Sequence, residues 1–374
     1  MSPAMEKLPD DEELFVRAAT REKLLDENGV ARARATQAKM AELGLKPKPI
    51  GDVLLELGLL DAAAHKKVAD AVQRVREAFR IPGYKLLEKL GRGSMGTVYK
   101  ARQLGLDRVV AIKVLSSHLA RNEGFVRRFL KEARVVGRLN HPHVVQGFDA
   151  GEAGGLYYFA MEFCDGPTVL QLLRRGGAMD EARALRIVTQ VAQALEHAHE
   201  EGLVHRDVKP DNIMIVEGGV AKLCDLGLAK DVSIESGSTA EGATVGTPNY
   251  ISPEQARGDT VIDIRSDIYS LGATFYHLLT GVPPFEGPNP AVTMVKHLNE
   301  PPLPPRRINP AISPAVEKIV LKMLAKDARD RYQTPSALLR DLEPAAAKAG
   351  DGVARGAPIS DSRAPVVRSK RRPR

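Results

Sequence analysis

The sequence predicts an α+β fold, on three observations. Across residues 84–342, strand-like runs come first and long helical patterns come later, the order expected when sheet and helices segregate rather than alternate. A glycine-rich turn at Gly91–Gly96 sits between two of the early strand-like runs. The flanking regions differ in composition. Residues 1–80 are Ala-rich and charged with helical spacing, and residues 343–374, rich in Ala, Gly, Pro and Arg, read as a disordered tail. Pro82-Gly83 punctuates the first boundary.

At 374 residues the chain has room for one large or two medium domains. With 43% hydrophobic and 27% charged residues it has the balance of a globular protein, which excludes wholesale disorder. No stretch approaches the ~18 consecutive apolar residues of a membrane span. Met1–Asp11 is acidic and lacks a basic-then-apolar leader, so a cytoplasmic protein is expected. Cys164 and Cys224 are the only cysteines, which excludes a disulfide framework and a four-cysteine zinc site. Net charge is +7, but residues 345–374 hold eight Lys or Arg against Asp351 and Asp361 and so account for nearly all of it. The body is close to neutral, and no specific nucleic-acid partner is expected. Lys370-Arg371-Arg372 reads as solvated charge.

The first region carries a weak repeat. Lys23–Val30 and Val53–Leu60 are each followed by an Ala-rich amphipathic stretch, and Gly29 and Gly58 are expected to end short helices. Ile50-Gly51-Asp52-Val53-Leu54 through Gln73 resembles the helical N-terminal module of secretion-type ATPases, some of which bind a cyclic dinucleotide. His65 departs from that pattern, which has Leu there, and a helical docking module for an unidentified partner is the reading retained for residues 1–80.

Chemistry-bearing motifs begin at Gly91-Arg92-Gly93-Ser94-Met95-Gly96. In a dinucleotide-binding fold a G-x-G-x-x-G opens a helix. Here Thr97-Val98-Tyr99-Lys100 alternates and is β-branched, so a strand follows and the loop is a hairpin whose glycines admit phosphates close to the backbone. An ordinary Gly-rich hairpin is the alternative. Lys113 ends the apolar run Val110-Ala111-Ile112. By itself it also reads as a snorkelling lysine; on a strand returning from the hairpin it would lie beside the phosphates. Glu132, in the helical stretch Phe129–Arg134, is a candidate to pair with it, or else belongs to a solvated helix face.

His205-Arg206-Asp207-Val208-Lys209-Pro210-Asp211-Asn212 is the strongest signal. It is polar and charged, yet flanked by Leu203-Val204 and Ile213-Met214-Ile215, as in a loop held between buried strands, where charge is costly unless partnered or used. Asp207, Asn212 and Asp225 bring two carboxylates and an amide oxygen, hard donors suited to Mg2+ or to a base. Asp225 follows the strand-like Ala221-Lys222-Leu223, and Gly227 permits the chain to turn back. Residues 231–247 are polar and carry hydroxyls, among them Ser238, Thr239, Thr244 and Thr247.

Together, in this order, these motifs resemble the serine/threonine class of eukaryotic-type protein kinases found also in bacteria, over Tyr84 to Leu342. The resemblance implies a bilobal fold: a small β-rich lobe over about 84–160 with one helix near Glu132, and a larger α-helical lobe over about 165–342. It implies ATP and Mg2+ as cofactors, with protein serine/threonine side chains as substrates. Leu90, Gly91, Arg92, Gly93, Ser94, Met95 and Gly96 would cover the phosphates. Val98, Ala111, Met161 and Met214 would line the adenine pocket, with Glu162-Phe163-Cys164 as the hinge. Lys113, paired with Glu132, would hold the α- and β-phosphates. Asp207 would handle the substrate proton, Lys209 would touch the transferred phosphate, and Asn212 and Asp225 would ligate Mg2+. Lys209 and Thr247 match the serine/threonine pattern, Asp267 would brace the catalytic loop, and Glu254 and Arg331 match a buried ion pair. Leu226 and Ser252 depart from the usual Phe and Ala without removing a functional atom. Arg206 would pair with a phosphate placed on Thr239 or Thr244. Cys224 is expected buried and Cys164 partly exposed. Two other readings are an inactive nucleotide-binding scaffold, disfavoured by Lys113 and Asp225, and a small-molecule kinase, disfavoured by Lys209 and the long 231–254 segment.

Overall fold

In the computed structural model, residues 6–7, 11–78, 81–93, 95–225 and 248–353 are described. The chain falls into two compact units: Met1–Val169, His197–Asp207 and Asp211–Pro248 form one, and Leu170–Glu196, Val208–Pro210 and Asn249–Arg374 the other. Among the described residues no helix is long and apolar enough to cross a membrane.

The first unit opens with a two-residue strand, β1 (Glu6–Lys7), and four helices: α1 (Asp11–Arg21), α2 (Glu27–Glu42), α3 (Ile50–Glu56) and α4 (Ala62–Ala78). Phe15 and Ala19 stand one turn apart on α1, as do Ile50 and Leu54 on α3. These stripes bury one core with Leu25, Ala33, Val53, Leu60, Val68 and Val72. Gly58 follows α3 with φ of 66°, as expected of a helix-ending glycine. Gly29 does not end a helix: it lies in the first turn of α2, where its N–H donates to the Asp26 carboxylate at 2.7 Å. The Asp26 cap starts a helix at the place where glycine was expected to stop one.

A six-stranded antiparallel sheet follows, in the order β1-β2-β3-β4-β6-β5. Its further strands are β2 (Tyr84–Arg92), β3 (Gly96–Gln103), β4 (Arg108–Leu115), β5 (Gly147–Ala153) and β6 (Leu156–Glu162). The period of two sorts β4. Val110, Ile112 and Val114 join Tyr99, Ala101, Tyr158 and Ala160 in an apolar core, so Ala111 and Lys113 lie on the opposite face. Register places Val98 across from Lys113, and Met161 across from Ala111. Two helices, α5 (Ser117–Ala120) and α6 (Glu123–Val136), lie between β4 and β5. Asn122 caps α6, whose Phe125, Phe129, Ala133 and Val136 form its buried stripe, with Glu132 half-buried at the edge of that same face. The unit also holds the hairpin β7 (Ile213–Val216) and β8 (Val220–Leu223), which turns through Gly218 and Gly219, both with positive φ. Leu203-Val204 is not a strand, so the charged loop is followed by a strand but not preceded by one.

The second unit is helical. It holds most of α7 (Val169–Gly176) and α8 (Glu181–Glu200), then α9 (Pro253–Arg257), α10 (Ile264–Thr280), α11 (Pro290–Asn299), α12 (Pro314–Met323) and α13 (Pro335–Val353). Nearly every residue of α10 is buried, Asp267 and Tyr269 included, as its all-round apolar sequence requires. A Cβ on Gly272 would come within 2.6 Å of the Met323 side chain, so α10 and α12 pack at glycine distance. Arg331 makes two bonds to Glu254, Nη1 to Oε1 at 2.7 Å and Nη2 to Oε2 at 2.9 Å. Burial alone raises the Glu254 carboxyl. The Arg331 bonds and charge, with the Ser266 hydroxyl, outweigh it and hold the carboxyl below its ordinary range. α13 continues to Val353, so helix replaces the start of the tail expected from 343; a helix-favouring Ala-rich run continues the Leu338, Leu339, Leu342 stripe. Residues 354–374, with the basic tripeptide, lie outside the described residues.

Candidate active site

The Gly-rich hairpin closes tightly, Gly93 N–H donating to the Gly96 carbonyl at 2.8 Å. Its glycines serve different ends. A Cβ on Gly96 would fall 1.9 Å from the Val114 carbonyl oxygen, so that position is demanded by β3–β4 packing. At Gly91 and Gly93 an added Cβ meets nothing within 4 Å, and the loop backbone is open to a ligand there. Leu90 and Met95 are half-buried and Arg92 exposed, while Ser94 lies outside the described residues.

Lys113 is buried, and its Nζ lies 2.7 Å from Asp225 Oδ1. A buried ammonium needs such a partner. The expected pairing with Glu132 is not made: the Lys113 side chain on β4 is taken by Asp225, two residues beyond β8, and Glu132 is partnered elsewhere.

Asp207 and Asn212 are hydrogen-bonded to each other, and Asn212 is tied in turn to Cys224, the neighbour of Asp225. Asn212 Nδ2 donates to the Asp207 carbonyl at 2.8 Å and to Asp207 Oδ2 at 3.1 Å. Cys224 N–H donates to the Asn212 carbonyl at 2.9 Å, as does the Cys224 thiol at 3.1 Å. His205, fully buried, ties the ends together. Its Nδ1 accepts from Asp207 N–H at 3.1 Å and its Nε2 faces the Cys224 carbonyl at 3.0 Å. A carbonyl only accepts, so this bonding selects the neutral imidazole with its hydrogen on Nε2. His205 stood in the charged motif but drew no role from sequence; only its burial and two bonds reveal it as the brace between the Asp207 and Asp225 segments. Two non-glycine residues here hold left-handed backbone, Arg206 at φ 63° and Asp225 at φ 58°, strain of the sort that gathers at functional sites.

Met161 is buried opposite Ala111, and half-buried Met214 lies on β7 across from Lys222. Cys164 is buried rather than partly exposed; burial, with the Glu162 charge, pushes its thiol up to about 11. Cys224 is half-buried as a residue rather than buried, while its thiol, donating to the Asn212 carbonyl, is raised by burial well above the ordinary range. Lys209 lies in the second unit. Residues 226–247, with Leu226, Gly227, Thr247 and the hydroxyl-rich segment, lie outside the described residues.

The donor chemistry fits a nucleotide with Mg2+. With Nδ2 committed to Asp207, Asn212 keeps its amide oxygen for a cation, and Asp225 supplies a carboxylate. Two such oxygens suffice for Mg2+, which keeps water and takes its other ligands from phosphates. A buried ammonium and open glycine backbone offer cation and N–H groups to anionic oxygens.

A sheet of this order followed by a helical unit, with a lysine–aspartate–asparagine–aspartate set, defines the protein kinase architecture. The protein kinase domain model matches residues 84–341, and the chain belongs to that family. It is 44% identical over 264 residues to serine/threonine-protein kinase PknB of Mycolicibacterium smegmatis, covering 69% of this chain and 42% of that protein. It is 43% identical over 270 residues to serine/threonine-protein kinase pkn3 of Myxococcus xanthus, covering 70% of this chain and 49% of that one. The chain thus spans less than half the length of these relatives. Among solved structures, the kinase domain of Mycobacterium tuberculosis PknI is similar with a TM-score of 0.58 at 30% identity, covering 72% of this chain and 98% of that one. Rad53 residues 1–466 in complex with AMP-PNP is similar with a TM-score of 0.59 at 26% identity, covering 73% and 69%.

Proposed function

We propose that this chain is a protein kinase that transfers the γ-phosphate of ATP to serine and threonine hydroxyls of protein substrates. One observation carries the reading: Lys113, Asp225, Asn212 and Asp207 belong to a single unit and are held by the short bonds described above. Asp207 takes the proton of the attacking hydroxyl. Asn212 Nδ2 fixes the carboxylate's orientation for that task, and a well-placed general base is worth ~10²–10⁴-fold. Lys113 supports the α- and β-phosphates, and Lys209 the transferred group. Mg2+ on Asn212 and Asp225 would neutralise charge on phosphate oxygens. Gly91 and Gly93 let backbone approach those oxygens. Val98, Ala111, Met161 and Met214 clasp the adenine, and backbone of Glu162–Cys164 pairs with its edge.

In this reading residues 84–342 form the catalytic domain, and residues 1–80 are a docking module for a partner. Arg206 pairs with a phosphate added within 231–247, at Thr239 or Thr244, by autophosphorylation. The cytoplasm, where ATP and protein hydroxyls are both at hand, is the proposed location. The test is radiolabel transfer from ATP to a generic basic protein, wild type against Asp207→Asn. Transfer by wild type and a loss of at least ~10²-fold in the variant is expected. Equal signals, or ATP binding without any transfer by wild type, would leave a scaffold as the better reading.

A further inference from the structure

A half-buried ion pair joins strands that the site depends on, and the roles proposed above do not use it. Lys222 Nζ, on β8, lies 2.9 Å from Glu162 Oε2, at the last residue of β6. Lys222 and Glu162 are 15% and 29% exposed in their side chains, so the pair is more than a solvated surface contact. Asp225 follows two residues after β8, and Glu162 begins the segment proposed to meet the adenine.

Backbone splints the same joint. The segment 143–146 bonds to β8 on one side, Leu223 N–H donating to the His143 carbonyl at 2.8 Å and Val145 N–H to the Leu223 carbonyl at 3.0 Å. On its other side Glu162 N–H donates to the Gln146 carbonyl at 2.9 Å, and Gln146 N–H to Glu162 Oε2 at 3.3 Å. His143 Nδ1 adds a bond to the Ala221 carbonyl at 2.9 Å. One carboxylate oxygen, Glu162 Oε2, therefore receives both the splint's N–H and the Lys222 ammonium. Lys222 also faces Met214 across the β7–β8 ladder.

We infer that Lys222 is a positioning residue for nucleotide binding: through Glu162 it fixes the distance between the strand end that meets the base and the strand that leads into Asp225. The inference rests on the kinase reading. Neutralising either partner strands the other as a part-buried charge and frees β8 to shift against β6, so base contact and metal-assisted phosphate contact no longer fit one ligand at once.

The test is calorimetric titration of the full chain with ADP, with and without Mg2+. Wild type should bind ADP, and Mg2+ should tighten it. In Lys222→Met the factor by which Mg2+ tightens ADP should shrink about tenfold, within the range found for residues in direct contact. Glu162→Gln should do the same, and the double variant should be no worse than Lys222→Met alone. Lys222→Arg, which keeps the charge and the reach, should restore the factor to within about twofold. If Lys222→Met does not fold, Glu162→Gln carries the test. An unchanged Mg2+ factor in the folded variants, with wild type binding normally, overturns the positioning role; failure of wild type to bind ADP at all overturns the kinase reading and this inference with it.

Discussion

The ammonium of Lys113 is bonded to Asp225 at 2.7 Å, with Asp225 held in left-handed backbone, and not to Glu132. The cation and the carboxylate proposed to hold Mg2+ are thus set against each other by the fold. Removing the cation should spare the fold and cost the chemistry. Lys113→Met is expected to lower kcat/KM about 10²–10³-fold, the scale of losing one preorganised electrostatic group. Steady-state kinetics checks this beside a circular dichroism spectrum, which should not change.

Gly96 and Gly93 make opposite predictions. Gly96→Ala places a methyl 1.9 Å from the Val114 carbonyl oxygen, and β3 must move off β4. A loss of about 1–3 kcal/mol in urea unfolding is expected. Gly93→Ala meets open space and should leave stability within about 0.5 kcal/mol while weakening ADP several-fold. Equal losses of stability at both positions would refute this division of labour.

Arg331 is fully buried in its side chain and clasps Glu254 with two bonds. Arg331→Met strands a buried carboxylate and should cost about 3–5 kcal/mol at neutral pH. Because the Glu254 carboxyl is held below its ordinary value of ~4.3, the pair's contribution is present above that value and vanishes as pH falls through the lowered one. The stability gap between wild type and Arg331→Met should therefore narrow steadily below about pH 5. A gap that is flat from pH 7 to pH 3 would contradict the assignment.

Cys164 and Cys224 are both predicted to resist alkylation in the folded chain. Burial pushes the first thiol up to about 11 and the second well above its usual range, so little thiolate exists at pH 8. Intact-mass measurement after iodoacetamide should show no adduct on native protein and two adducts after denaturation.

Much of this protein follows from sequence alone. The apolar run Val110-Ala111-Ile112 ending in Lys113 read as a strand, and the apolar run after Asp267 as a buried helix. The spacing of Asp207, Asn212 and Asp225 pointed to hard oxygen donors, because residue type and local period are properties of the chain itself. What only the tertiary structure decided is who bonds to whom. Lys113 takes Asp225 over Glu132, His205 spans two segments as a neutral brace, Gly96 answers to Val114, and Lys222 finds Glu162. Each of these is a contact between residues distant in the chain, and a long-range partner is selected by three-dimensional packing and desolvation, neither of which leaves a local periodicity to read.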